Sequence, residues 1–170
     1  MSETRARIER RIGEDPGVHF NELVRALDLA PGQVQYHVGR LLDAGRLDRE
    51  RLYGRTHYFP PETDEWERGA LSLCRRETAR DVLASLIVSG PQRPAAVADD
   101  LGVARSTLEW HLDHLVEQGV VRKERDDRGR VTLVLARPTE TARLLDAVSP
   151  SLPERMVDRF TRLVDDLFAE

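Results

Sequence analysis

The chain has 170 residues, of which 33% are charged and 40% hydrophobic, with a formal net charge of −4. The size allows one domain or two small ones, and the mild acidity means that any surface for a polyanion must be local. Cys74 is the only cysteine, which excludes an intrachain disulfide framework and a cysteine-rich zinc site.

The first fifteen residues, MSETRARIERRIGED, are charged throughout and lack an apolar signal core. No apolar run approaches the roughly 20 residues of a membrane span. The expectation is a cytoplasmic protein with no membrane association, no metal and no cofactor. Lys123 is the one lysine among 26 basic residues. A GC-rich genome and adaptation to high internal salt both lead there, and arginine is in any case the better fork for phosphate and guanine.

Ser2 can cap a first helix that places Ile8 and Ile12 on one face and stops at Gly13 and Asp15-Pro16-Gly17. NELVRALDL follows as a short helix, with Asn21 as its cap and Leu23, Val24 and Leu27 inward. A tight turn through Leu29 and Ala30 leads to a third helix, PGQVQYHVGRLLDAG, with Pro31 in its first turn and Gly45 at its end. LDRERLYGRTHYF then reads as two strands about Gly54, with Leu47, Arg49 and Arg51 sharing a face and the second strand running from Thr56 to Phe59. Three helices and a two-stranded wing make a winged-helix layout over residues 1–60.

A helical linker over 61–76, with Trp66, Ala70 and Leu73 on one side, leads to a second copy over 77–138. Residues 20–47 lie on 94–121 at a constant offset of 74, with Leu27/Leu101, His37/His111, Leu41/Leu115 and Gly45/Gly119 identical. The second wing, Val121 to Leu135, turns through Asp126-Asp127-Arg128-Gly129, one residue longer than the first. A helical tail occupies 139–170, with a capping box at Ser151–Glu154 and a stripe of Met156, Phe160, Leu163 and Leu167 at helical spacing. The fold class is therefore mainly α with small β-wings (α+β): two tandem winged-helix domains and a C-terminal tail.

Stepping about 100° per residue along the third helix from buried Val34 puts Val38 and Leu41 beside it and turns Gly32, Gln33, Tyr36, Gly39 and Arg40 away. The early outward residues of such a helix reach base edges in the major groove. Gln33 or Gln35 can pair with adenine and Arg40 with guanine or phosphate, and no acidic residue lies between Leu29 and Leu42. Arg46, Arg49, Arg51 and Arg55 make the wing basic against Asp48 and Glu50, for contact with the backbone or a minor groove. The plain alternatives are an exposed polar helix face and a strand edge guarded by charge.

The second copy reads differently. Its outward face carries Ser106, Thr107, Trp110, Asp113 and His114 beside Glu109 and Glu117. Arg105, Ser106, Thr107, Arg125, Arg128 and Arg130 are secondary candidates for DNA, while Trp110 suits burial on a partner surface or, as the alternative, a place at DNA. Trp110 with Met156, Phe160, Leu163 and Leu167 is the candidate interface of a homodimer. His37 and His111 are boundary histidines, the His111/His114 spacing lacks a third ligand, and Cys74 reads as a buried helix residue. No phosphate-binding glycine loop, nucleophile elbow or carboxylate pair is visible, so no enzyme is expected.

LDLAPGQVQYHVGRLLDAGRL and LGVARSTLEWHLDHLVEQGVV both resemble the winged helix-turn-helix of MarR and ArsR transcription regulators. The tandem arrangement with a helical tail resembles archaeal regulators carrying two winged helices in one chain. The resemblance implies a dimer on a promoter, with Gly32, Gln33, Gln35, Tyr36 and Arg40 in the major groove of double-stranded DNA. Metal-sensing cysteine pairs of some ArsR proteins are absent, and a small-molecule effector is left open. The rival class is a tandem winged-helix scaffold for protein interactions in chromosome organisation or the transcription machinery, favoured by the acidic second recognition helix.

Overall fold

The computed structural model describes residues 2–148, and the chain divides between Ser72 and Leu73 into two compact units. The expected capping box at Ser151–Glu154 and the stripe from Met156 to Leu167 lie outside the described residues.

In the first unit α1 spans Glu3–Glu14, and Ser2 caps it by accepting from the Arg5 N–H at 3.1 Å. Its buried residues are Ile8 and Ile12, four apart and so on one face. Helix α2 spans Phe20–Leu27, and its N-cap is His19, without a side-chain cap, rather than Asn21. Phe20 explains the shift: it packs against the core, which draws the first turn one residue earlier. Helix α2 closes on Asp28 in the left-handed region (φ 51), which a short polar side chain tolerates better than most.

Helix α3 spans Pro31–Asp43, with proline in its first turn and Val34, Val38 and Leu41 buried. These three join Ile8, Ile12, Val18, Leu23, Leu27 and Leu47 in one apolar core. Strands β1 (Asp48–Leu52) and β2 (Arg55–Phe59) pair antiparallel, with Leu52 opposite Arg55. The second strand thus starts at Arg55 rather than Thr56. The two residues between them, Tyr53 (φ 51) and Gly54 (φ 81), both have positive φ, which makes a two-residue turn matched to the strand twist. Leu47 does not share the face of Arg49 and Arg51: it lies before β1 and is 2% exposed, turned into the core.

Helix α4 spans Glu65–Cys74 and crosses the division between the units. The second unit repeats the pattern with α5 (Glu77–Ser89), α6 (Pro94–Leu101), α7 (Arg105–Glu117), β3 (Val121–Arg125) and β4 (Val131–Leu135). Leu108, Leu112 and Leu115 take the buried positions of Val34, Val38 and Leu41. The repetition reaches the backbone pairing. An isolated bridge joins Val18 to Tyr58 in the first unit and Gln92 to Leu133 in the second. In the second wing the Asp126 N–H donates to the Arg130 carbonyl at 3.0 Å, leaving a three-residue tip that ends on Gly129 at φ 75. Three-residue hairpins place a left-handed residue at this point. Helix α8 (Pro138–Val148) packs on α5 through a face with Leu144, Leu145 and Val148 buried.

Candidate nucleic-acid interface

Burial of Val34, Val38 and Leu41 orients α3, and the opposite side faces out. Gly32, Gln33, Gln35, Tyr36 and Arg40 are all exposed, Tyr36 at 59%. Tyr36 meets the His37 ring edge-on at 5.1 Å, and His37 Nδ1 accepts from Arg5 Nε at 3.3 Å, which ties this turn of α3 to α1. A Cβ built on Gly32 or Gly39 would meet nothing within 4 Å, so packing within the protein does not call for glycine at either position. In a helix interior glycine costs roughly 1 kcal/mol relative to alanine.

Arg49, Arg51 and Arg55 are exposed on the wing. Arg49 hydrogen-bonds the Tyr58 hydroxyl, and burial raises the Tyr58 pKa while Arg49 partly offsets that rise. A groove of about 490 Å³ runs between helix and wing, lined by Gln35, Gly39, Arg49 and Tyr58 among others. It sets Gln35 and Gly39 of α3 beside Arg49 of the wing, while Arg51 and Arg55 are exposed on the wing outside it. Arg46 does not belong to it. It lies in the turn after α3 on the side of α1, where its Nη2 is 2.9 Å from Glu9 Oε1.

Arg68, on α4, is the residue that sequence reasoning missed. Its guanidinium binds Asp48 at 2.7 Å and Glu50 at 3.5 Å. Asp48 is twenty positions earlier in the chain, so no local spacing announces the contact.

The second unit places the corresponding residues differently. Arg105, Ser106 and Thr107 are exposed at the start of α7, but Arg105 is 3.3 Å from Glu109, which also holds Lys123 at 3.2 Å. On the wing Arg122 pairs with Glu124 at 3.4 Å and Arg130 with Asp126 at 2.7 Å. Arg125 donates to the Gly129 carbonyl at 3.2 Å, and Arg128 gives its backbone N–H to Asp126 at 2.9 Å. The Arg130 and Arg128 N–H groups hold the Asp126 carboxyl below its ordinary pKa. Trp110 is 47% exposed, under the Arg76 guanidinium at 5.4 Å and edge-on to His111 and His114. Burial, then Arg76 and His114, lower the His111 pKa. Cys74 is fully buried, and that burial raises its thiol pKa to about 12.

Among the described residues no group of three His, Cys, Asp or Glu side chains is placed to hold a metal ion. No described helix is long and apolar enough to cross a membrane. Of the expected interface residues only Trp110 is described.

Comparison with known proteins finds a helix-turn-helix family match in each unit. The family described as an N-terminal HTH domain matches residues 2–71, and a helix-turn-helix domain family matches residues 76–124. An uncharacterized HTH-type transcriptional regulator of Methanocaldococcus jannaschii is 27% identical over 127 residues, covering 74% of this chain but only 32% of its own length. The transcriptional repressor BigR from Xylella fastidiosa has a similar fold at a TM-score of 0.43 and 20% identity, over 50% of this chain and 84% of its own. A MarR family regulator from Neisseria meningitidis has a TM-score of 0.37 and 17% identity, over 55% of this chain and 61% of its own.

Proposed function

We propose that this chain, a tandem winged helix-turn-helix protein of the transcription-regulator class, binds double-stranded DNA sequence-specifically through its first unit. Helix α3 enters the major groove, with Gln33, Gln35 and Tyr36 toward base edges and Arg40 at guanine or a phosphate. Arg49, Arg51 and Arg55 lie along the backbone or the adjacent minor groove. The observation that carries this reading is an exposed, acid-free face of α3 joined to the wing by a groove that Gln35, Gly39 and Arg49 line, with Arg51 and Arg55 also exposed on the wing. Two open glycines in α3 support it, because they lower helix stability without filling a packing need and let the helix backbone come close to a partner.

The second unit contributes less to sequence reading. Arg105, Arg122 and Arg130 there pair with carboxylates of the same unit, so contact with phosphate requires breaking those pairs. Its exposed Trp110 suits a protein surface better than a phosphate surface. The protein acts as a homodimer in the cytoplasm, presenting two first units to half-sites about one helical turn, or a multiple of it, apart.

Fluorescence anisotropy on duplex fragments selected from a genomic library tests the reading. Wild type binds a subset of fragments with affinity falling as salt rises, and Arg40→Ala with Arg49→Ala loses that binding. Equal binding by wild type and variant, or no duplex binding at any salt, refutes it. In the latter case a stable protein partner in a pull-down favours the scaffold class.

A further inference from the structure

Strand β1 alternates Asp48, Arg49, Glu50 and Arg51. On a surface for phosphate, two carboxylates within one short strand repel the ligand and lower both affinity and encounter rate. One residue from outside the strand engages both. Arg68 places Nη2 at 2.7 Å from Asp48 Oδ2 and Nη1 at 3.5 Å from Glu50 Oε2. Its Nε donates to the Thr63 carbonyl at 2.8 Å and Nη2 to the Pro61 carbonyl at 3.2 Å. The guanidinium rests 5.4 Å from the Phe59 ring centroid, and the side chain is only 15% exposed. It is held from every side and does not reach outward.

The second wing makes the contrast. Glu124 stands at the position of Glu50 in the repeat, and Asp126 follows at the end of the same wing. Both are paired with arginines of that wing, Arg122 and Arg130. There both neutralising cations belong to the wing itself: Arg130 is one of its candidate DNA contacts, and Arg122 stands by the same offset where the first unit has Asp48. In the first unit the cation comes from α4, so Arg49 and Arg51 keep their charge for a ligand.

We propose that Arg68 is a positioning residue for nucleic-acid binding: by holding Asp48 and Glu50, it lets Arg49 and Arg51 meet phosphate without competing carboxylates. This rests on the first unit being the one that binds duplex DNA. A purely structural ion pair and a direct phosphate contact are the two alternatives, and a charge-rescue cycle separates them.

The cycle compares wild type, Arg68→Ala, the pair Asp48→Asn with Glu50→Gln, and the triple variant, by anisotropy on one duplex across salt. Urea denaturation of each variant is measured alongside. Arg68→Ala is expected to weaken binding about tenfold at low salt, an effect that shrinks as salt screens it. In the neutralised background the same substitution changes affinity by less than about twofold and leaves the salt slope alone. An equal loss in both backgrounds overturns the proposal. With the slope reduced by about 0.9 that loss marks a direct phosphate contact, and with reduced urea stability it marks a structural role. No loss from Arg68→Ala in either background also overturns it. If Arg68→Ala does not fold, the triple variant carries the test: it must bind as tightly as the neutralised pair. Wild type binding no duplex at any salt removes the reading of the first unit itself, a result distinct from all of these.

Discussion

The contrast between unpaired and paired arginines makes a quantitative prediction about salt. Arg40, Arg49, Arg51 and Arg55 of the first unit are exposed, and none of them has a carboxylate partner among the described residues. Each phosphate neutralised contributes about −0.9 to the slope of log affinity against log salt, so four give about −3.6 per protomer. Raising salt from about 50 to 200 mM should then weaken binding roughly 150-fold per protomer engaged. Removing Arg51 and Arg55 together, as alanines, should bring the slope to about −1.8 and the loss to roughly 12-fold. Arg122→Ala with Arg130→Ala removes the same charge from the second wing, but there each arginine already faces a carboxylate at 3.4 Å and 2.7 Å. That pair should leave the slope near the wild-type value. Anisotropy titrations of one labelled duplex at four or five salt concentrations give all three slopes. If the two double variants flatten the slope equally, the distinction between the wings is wrong.

Three further outcomes follow from the fold and its titratable groups. Leu41→Ala, at a side chain 1% exposed, should cost about 3 kcal/mol in urea denaturation, while Tyr36→Ala on the open side of α3 should cost under about 0.5 kcal/mol; equal costs would mean the faces of α3 are misassigned. Gly54→Val, at φ 81 with open space around the Cβ, should cost about 1–2 kcal/mol from backbone conformation alone, and a neutral result by thermal melting would contradict the turn. His111 has its pKa held below the ordinary 6.5, chiefly by burial, so the unfolded chain takes up a proton at higher pH than the folded one. Its contribution is complete above pH 6.5 and is lost as pH falls through that value toward the folded pKa. The urea midpoint should therefore drop between pH 7.5 and 5.5 by less in His111→Gln than in wild type; equal drops would exclude His111 as a source.

Much of this arrangement is legible in the residues themselves. Helical periodicity assigns Val34, Val38 and Leu41, and with them Leu108, Leu112 and Leu115, to the buried side, because burial of an amphipathic face is a local pattern. The same pattern leaves Gln33, Tyr36 and Arg40 outside. Strand alternation marks Arg49 and Arg51 as a pair for the same reason. What is not legible depends on contacts distant in sequence or on competing local preferences. Asn21 is a good cap by residue type, yet packing of Phe20 begins α2 earlier. Arg46 counts as a wing arginine until Glu9, 37 positions away, is seen to hold it. Arg68 sits in an acidic stretch that names no partner, and only the folded chain brings it to Asp48 and Glu50. Tyr53 in a left-handed turn has no residue-type signal, since a non-glycine residue there is unusual.

The central claim is that the first recognition helix, and not the second, reads the bases. The most direct measurement is the ratio of affinities for a selected duplex and a scrambled one. It is taken for wild type, for Gln33→Ala with Arg40→Ala in α3, and for Ser106→Ala with Thr107→Ala in α7. The account predicts that the α3 pair reduces discrimination by at least about tenfold, since a good bidentate base contact is worth roughly 1–3 kcal/mol, and that the α7 pair leaves it unchanged. Discrimination lost in the α7 pair and kept in the α3 pair would contradict it.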